Sequence, residues 1–85
     1  MRSVDCARDV IKIGTLSTAH VRLEAGGVSR LHAVIERTPD GGYLIDLGAS
    51  GGTLVNGVSI TKRALADGDV ISIGEAELRV KMYNG

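Results

Sequence analysis

The stretch Val28-Ser29-Arg30-Leu31-His32 brings a hydroxyl, a guanidinium and an imidazole together in one short run. It follows the turn signal Gly26-Gly27 and leads into the apolar run Ala33-Val34-Ile35. A hydroxyl and a guanidinium are donors suited to an anion, and an imidazole can tie a loop down through both ring nitrogens. Recognition chemistry sits most often on loops held by a rigid scaffold. A second stretch, from Asp46 to Gly57, carries Ser50, Thr53 and a run of glycines. We expect the two stretches to lie side by side and form one anion-tolerant edge.

Other chemistries fit these residues less well. Ser29, His32 and Asp46 are the residue types of a hydrolase triad. The chain lacks a Gly-x-Ser-x-Gly elbow and the strand-to-helix turn that such an elbow needs. Residues 48–52 are glycine-rich, but no Gly-Lys-Ser/Thr follows, so they are not a P-loop. Cys6, His20 and His32 are the only soft ligands, too few and wrongly spaced for structural zinc. The expectation is a noncatalytic domain with no metal and no cofactor. His32 reads as a hydrogen-bonded structural histidine, and Asn56-Gly57 as turn chemistry.

The elements that must position these loops read as short strands. Ile11 and Ile13 alternate with Lys12, and Val21 and Leu23 with Arg22, the two-residue period of a half-buried strand. Val4 and Cys6 alternate with Ser3 and Asp5, which predicts a short edge strand near the start. Residues 33–38 and 43–47 flank Pro39-Asp40-Gly41-Gly42 and predict a hairpin with a four-residue turn. Thr53 to Val55, the turn Asn56-Gly57 and a return strand over 58–63 predict a second hairpin. Leu65 reads as a core plug, followed by the turn Asp67-Gly68-Asp69. Strands over 70–73 and 76–82, joined at Gly74-Glu75, complete the chain. No segment has convincing helical periodicity. Short strands with Gly-rich turns predict an all-β sandwich.

At 85 residues the chain is one domain, 1–85. Its core must be aliphatic, because Phe and Trp are absent and Tyr43 and Tyr83 are the only aromatics. Ten basic and ten acidic side chains cancel. No cationic cluster is present for neutralising phosphates, which argues against nucleic acid. No apolar run approaches the ~20 residues of a membrane span. The lone Cys6 suits a reducing, cytoplasmic setting.

Read in order, Ile13-Gly14, Val28-Ser29-Arg30-Leu31-His32, Asp46-Leu47-Gly48, Gly52-Thr53, Val55-Asn56-Gly57, Leu65, Gly68-Asp69, Ile71 and Gly74 form a set. Over residues 10–82 the chain resembles a forkhead-associated (FHA) domain. The resemblance implies a β-sandwich of short, mostly antiparallel strands whose loops read phosphothreonine in a partner protein. Such domains are often longer, so the first strand or two are candidates for being missing. A sheet edge left free in that way invites a dimer mate. The size also suggests a domain excised from a longer protein.

The resemblance assigns roles residue by residue. Ser29 matches the serine that hydrogen-bonds the phosphate, and Arg30 the arginine beside it. Ser50 matches the hydroxyl of the second loop. His32 matches the histidine that braces the loops from inside, and Thr53 hydrogen-bonds within its own loop. Two positions depart. Thr15 stands where the family has an arginine near the phosphothreonine, and Gly51 where it has an asparagine that clasps the peptide backbone. Losing both contacts removes about 2–4.5 kcal/mol, roughly thirty- to thousand-fold in affinity. The expected partner is a phosphothreonine-containing protein segment, bound weakly. The alternative is a degenerate FHA domain that serves as a phosphorylation-independent scaffold for a folded partner.

Overall fold

The computed structural model describes residues 2–5 and 8–82. Cys6 and Tyr83 lie outside the described residues. The elements are β1 (Arg2–Asp5), β2 (Val10–Gly14), β3 (Val21–Arg22), β4 (Ala33–Thr38), β5 (Gly41–Asp46), β6 (Thr53–Val55), β7 (Val58–Ser59), β8 (Lys62–Leu65), β9 (Val70–Ile73) and β10 (Ala76–Lys81). They form two sheets, in the orders β1-β10-β9-β6-β7 and β3-β2-β4-β5-β8. The chain is therefore all-β, as its alternating pattern predicts. Parallel pairing occurs where β1 meets β10 and where β2 meets β3.

The inward faces of the two sheets make one aliphatic core. Ile13, Ala33, Leu44, Val55, Ile71, Ile73 and Leu78 are wholly inaccessible. Each lies on the inward phase of its strand; Lys12 beside Ile13 and Glu77 and Arg79 on either side of Leu78 face out, as does the apolar Leu54 beside Val55. Burying a Leu or Ile contributes roughly 1.5–3 kcal/mol relative to leaving it exposed. In a chain without Phe or Trp, these contacts carry the sandwich. On the outer face, Lys62 Nζ sits 5.3 Å from the centre of the Tyr43 ring and covers the β5–β8 pair.

The structure bears out one reading of the sequence and corrects two others. The short edge strand read around Val4 is present. β1 lies along the outer side of β10 in the register Val4↔Val80, and Val4 is buried in the core. Four-residue pairing with β10 and an Arg2 Nη1 bond to the Arg22 carbonyl at 2.6 Å hold it beside the buried valine. Next, the turn after β4 is shorter than predicted: Thr38 pairs with Gly41, leaving only Pro39-Asp40 between the strands. Finally, the return strand over 58–63 is broken in two. Val58 pairs with Val55 in one sheet, whereas Lys62 pairs with Ile45 in the other. The crossing at Ile60-Thr61 is hydrogen-bonded on both sides, by Ile60 N–H to the Thr53 carbonyl and by Asp46 N–H to the Thr61 carbonyl. A local two-residue period is the same on either side of such a crossing, so it cannot reveal one. Leu65, expected as a core plug, is buried within β8.

Candidate functional site

Residues 15–20, 23–32 and 47–52 are the loops that join β2 to β3, β3 to β4 and β5 to β6. The first two are laced together by backbone bonds. Thr15 N–H donates to the Ser29 carbonyl at 3.2 Å, and Leu16 N–H to the Arg30 carbonyl at 3.1 Å. His32 N–H donates to the Ile13 carbonyl at 2.9 Å, and Leu47 N–H to the His32 carbonyl at 3.1 Å. His32 therefore sits between β2 and the start of the third loop.

The His32 side chain is wholly buried. Its Nδ1 accepts from the Ser29 N–H at 3.0 Å. Nδ1 is thus unprotonated, and the ring proton on Nε2 points to the Gly52 carbonyl at 2.7 Å. One imidazole joins the loop carrying Ser29 to the loop carrying Ser50, and both ring nitrogens are satisfied. A buried polar ring would otherwise be costly.

The third loop has a second fastening. Asp46 Oδ2 accepts from the Gly48 N–H at 3.1 Å, and Asp46 Oδ1 from the Thr53 hydroxyl at 2.8 Å. Thr53 is fully buried. One carboxylate therefore grips both ends of the glycine-rich loop. Gly51 is where the third loop approaches the second. A Cβ built there would lie 2.8 Å from the Gly27 carbonyl oxygen, inside the distance that real Cβ contacts show. The absence of a side chain at Gly51 is what lets the third loop sit against residues 26–27.

Ser29 and Thr15 are half-buried, while Arg30, Ser50 and Gly51 are exposed. The fold brings all five onto neighbouring loops at one end of the sandwich. At the opposite side of the hairpin, Asn56 has φ 50° and Gly57 φ 81°, the paired positive values of a type I′ turn. Asn56 also reaches outside its turn. It donates from Nδ2 to Asp69 Oδ1 at 3.0 Å and accepts from the Val70 N–H at 3.0 Å. Its job is turn formation plus a tie to β9.

The structure also places Arg22 against the first loop. Arg22 Nε donates to the Thr15 carbonyl at 3.2 Å, and Arg22 Nη2 pairs with Glu24 Oε1 at 2.8 Å. The signal was in the alternation, since Arg22 and Glu24 share the outward phase on either side of buried Leu23. His20, by contrast, is exposed, and its Nδ1 accepts from the Lys12 N–H at 2.9 Å.

Comparison with known proteins agrees with this architecture. The family model described as FHA domain matches residues 11–74. The FHA domain-containing protein FhaA of Mycobacterium tuberculosis is 41% identical over 71 residues, covering 84% of this chain and 14% of that protein. The ABC transporter ATP-binding/permease protein Rv1747 of the same organism is 34% identical over 68 residues, covering 80% of this chain and 8% of that protein. The chain thus spans only a small part of the length of these curated relatives. Among solved structures, one described as a structural and functional analysis of phosphothreonine-dependent FHA domain interactions superposes with a TM-score of 0.84 at 36% identity, covering 99% of this chain and 82% of that one. The FhaA FHA domain complexed with the intracellular domain of Rv3910 gives 0.77 at 36% identity, over 91% of this chain and 79% of that one. Mycobacterium tuberculosis EmbR in complex with a low affinity phosphopeptide gives 0.78 at 32% identity, over 91% of this chain and 21% of that one. With the family match running from β2 to the end of β9, and the motif residues standing at the loops just described, this chain belongs to the FHA domain family.

Proposed function

We propose that this domain is a noncatalytic interaction module that docks a phosphothreonine-bearing segment of a partner protein on the loops at residues 15–20, 23–32 and 47–52. In this reading Ser29, Arg30 and Ser50 contact the phosphate and the peptide, and Thr15 and Gly51 line the seat. His32 and Thr53 hold the loops from beneath. The observation that carries it is the His32 bridge, which keeps the Ser29 and Ser50 loops in register before any ligand arrives. Such preorganisation lowers the ordering cost of binding. Support also comes from relatives solved in a phosphothreonine-dependent context and with a phosphopeptide.

The test is a titration of a degenerate phosphothreonine peptide pool against its unphosphorylated twin. The phosphorylated pool should bind more tightly, and Ser29→Ala and Arg30→Ala should each weaken it while leaving the unphosphorylated pool unaffected. Equal binding of the two pools would replace this reading with a phosphorylation-independent scaffold.

A further inference from the structure

We propose that Arg22 supplies to the phosphate seat the guanidinium that Thr15 lacks, and that Glu24 holds it in reserve until a phosphate displaces the carboxylate. The inference rests on the phosphothreonine reading above and names a further contact residue within it.

The geometry starts from strand register. β3 pairs with β2 so that Arg22 stands opposite Gly14, the residue just before Thr15. Leu23 N–H donates to the Gly14 carbonyl at 2.9 Å and fixes that alignment. The Arg22 side chain then folds toward the first loop and donates through Nε to the Thr15 carbonyl. Thr15 in turn donates its own N–H to the Ser29 carbonyl. A single residue, Thr15, therefore separates the Arg22 guanidinium from the loop that carries Ser29 and Arg30. Threonine is short and uncharged, so it brings no cation of its own to that position.

The charge state of the pair suits a displaceable partner. A guanidinium has five N–H donors in a planar fork. Here Nε is taken by Thr15 and one Nη2 bond by Glu24. Both side chains of the pair are more than half exposed, at 53% and 67%. Exposed ion pairs are weak because water and salt screen them. A phosphothreonine carries about −1.5 to −2 charge and three acceptor oxygens, and a guanidinium binds such a group through two parallel bonds. A phosphate at the Ser29 loop therefore outcompetes a single solvated carboxylate. Glu24 acts as a weak internal competitor that also disfavours unphosphorylated acidic segments.

The test uses the 85-residue domain and a fluorescent degenerate phosphothreonine peptide pool, with the unphosphorylated pool and a pool carrying glutamate at the threonine position as controls. Arg22→Ala should weaken the phosphorylated pool about tenfold or more, and Arg22→Lys should recover part of the loss. Glu24→Gln should tighten the phosphorylated pool a few-fold, whereas an ion pair remote from the phosphate seat would leave it unchanged. Wild-type discrimination of the pools combined with unchanged binding in both Arg22→Ala and Glu24→Gln would overturn the assignment while leaving the phosphothreonine reading intact. If the wild-type domain does not discriminate the pools, both fall together. If Arg22→Ala fails to fold, Glu24→Gln decides alone: a gain supports the assignment and no change overturns it.

Discussion

His32 Nε2 lies 2.7 Å from the carbonyl oxygen of Gly52, a residue twenty positions further along the chain. That bond and the bond from Ser29 N–H to the other ring nitrogen make one buried side chain the joint between two loops. It adds a buried side-chain tie to the Leu47 N–H bond to the His32 carbonyl and to the close packing of Gly51 on Gly27.

Replacing His32 by Ala should therefore strand two backbone groups and open a cavity. We expect a stability loss of about 1–3 kcal/mol, seen as a fall in melting temperature of roughly 4–8 °C per kcal/mol for a domain of this size. An unaltered melting curve would mean that the imidazole joins nothing.

Gly51→Asn restores the residue type that the family resemblance leads one to expect. It should nonetheless fail to improve the domain, because the new Cβ meets the Gly27 carbonyl oxygen, which is backbone and cannot swing away. Overpacking of this kind costs typically 1–3 kcal/mol. Thermal unfolding and phosphopeptide titration should both worsen. A variant that melts higher and binds more tightly would show that the two loops separate without strain.

Thr53→Val keeps the side-chain shape and the strand preference but removes the donor to Asp46 Oδ1. Among the described residues the carboxylate then keeps the bond from the Gly48 N–H. A cost of about 1 kcal/mol is expected, together with faster hydrogen exchange at the Gly48 and Gly52 amides. Exchange as slow as in the wild type would indicate that Asp46 does not depend on the hydroxyl.

Asn56→Ala combines two losses. Alanine tolerates φ 50° poorly, and the bonds to Asp69 and Val70 disappear. Urea unfolding should show a reduction of about 2–3 kcal/mol, larger than for Asn56→Gly, which relieves the backbone term. Equal losses in the two variants would assign the whole effect to the side-chain bonds.

Much of the sandwich was legible residue by residue. Inward Ile13, Leu78 and Val80 alternate with the outward Lys12, Glu77, Arg79 and Lys81, and a two-residue period needs no partner to be visible. Asn56-Gly57 announced its turn because paired positive φ values restrict the choice of residues. The run from Ser29 to His32 and the stretch from Asp46 to Thr53 stood out through the order of the motifs that carry the family resemblance, since Asp, Ser and Gly by themselves are ordinary loop residues.

Tertiary structure alone decided how those pieces meet. Nothing local distinguishes a return strand that stays in its sheet from one that crosses at Ile60-Thr61, since both sides alternate alike. Nor does Gly51 by itself disclose that the Gly27 carbonyl fills the space a side chain would need. The same holds for Arg22, whose outward phase was readable but whose bond to the Thr15 carbonyl exists only because β3 pairs in register with β2. Side-chain period is a property of the neighbouring residues, whereas contacts between loops are set by how two sheets stack and shift against each other, and that is a property of the whole core.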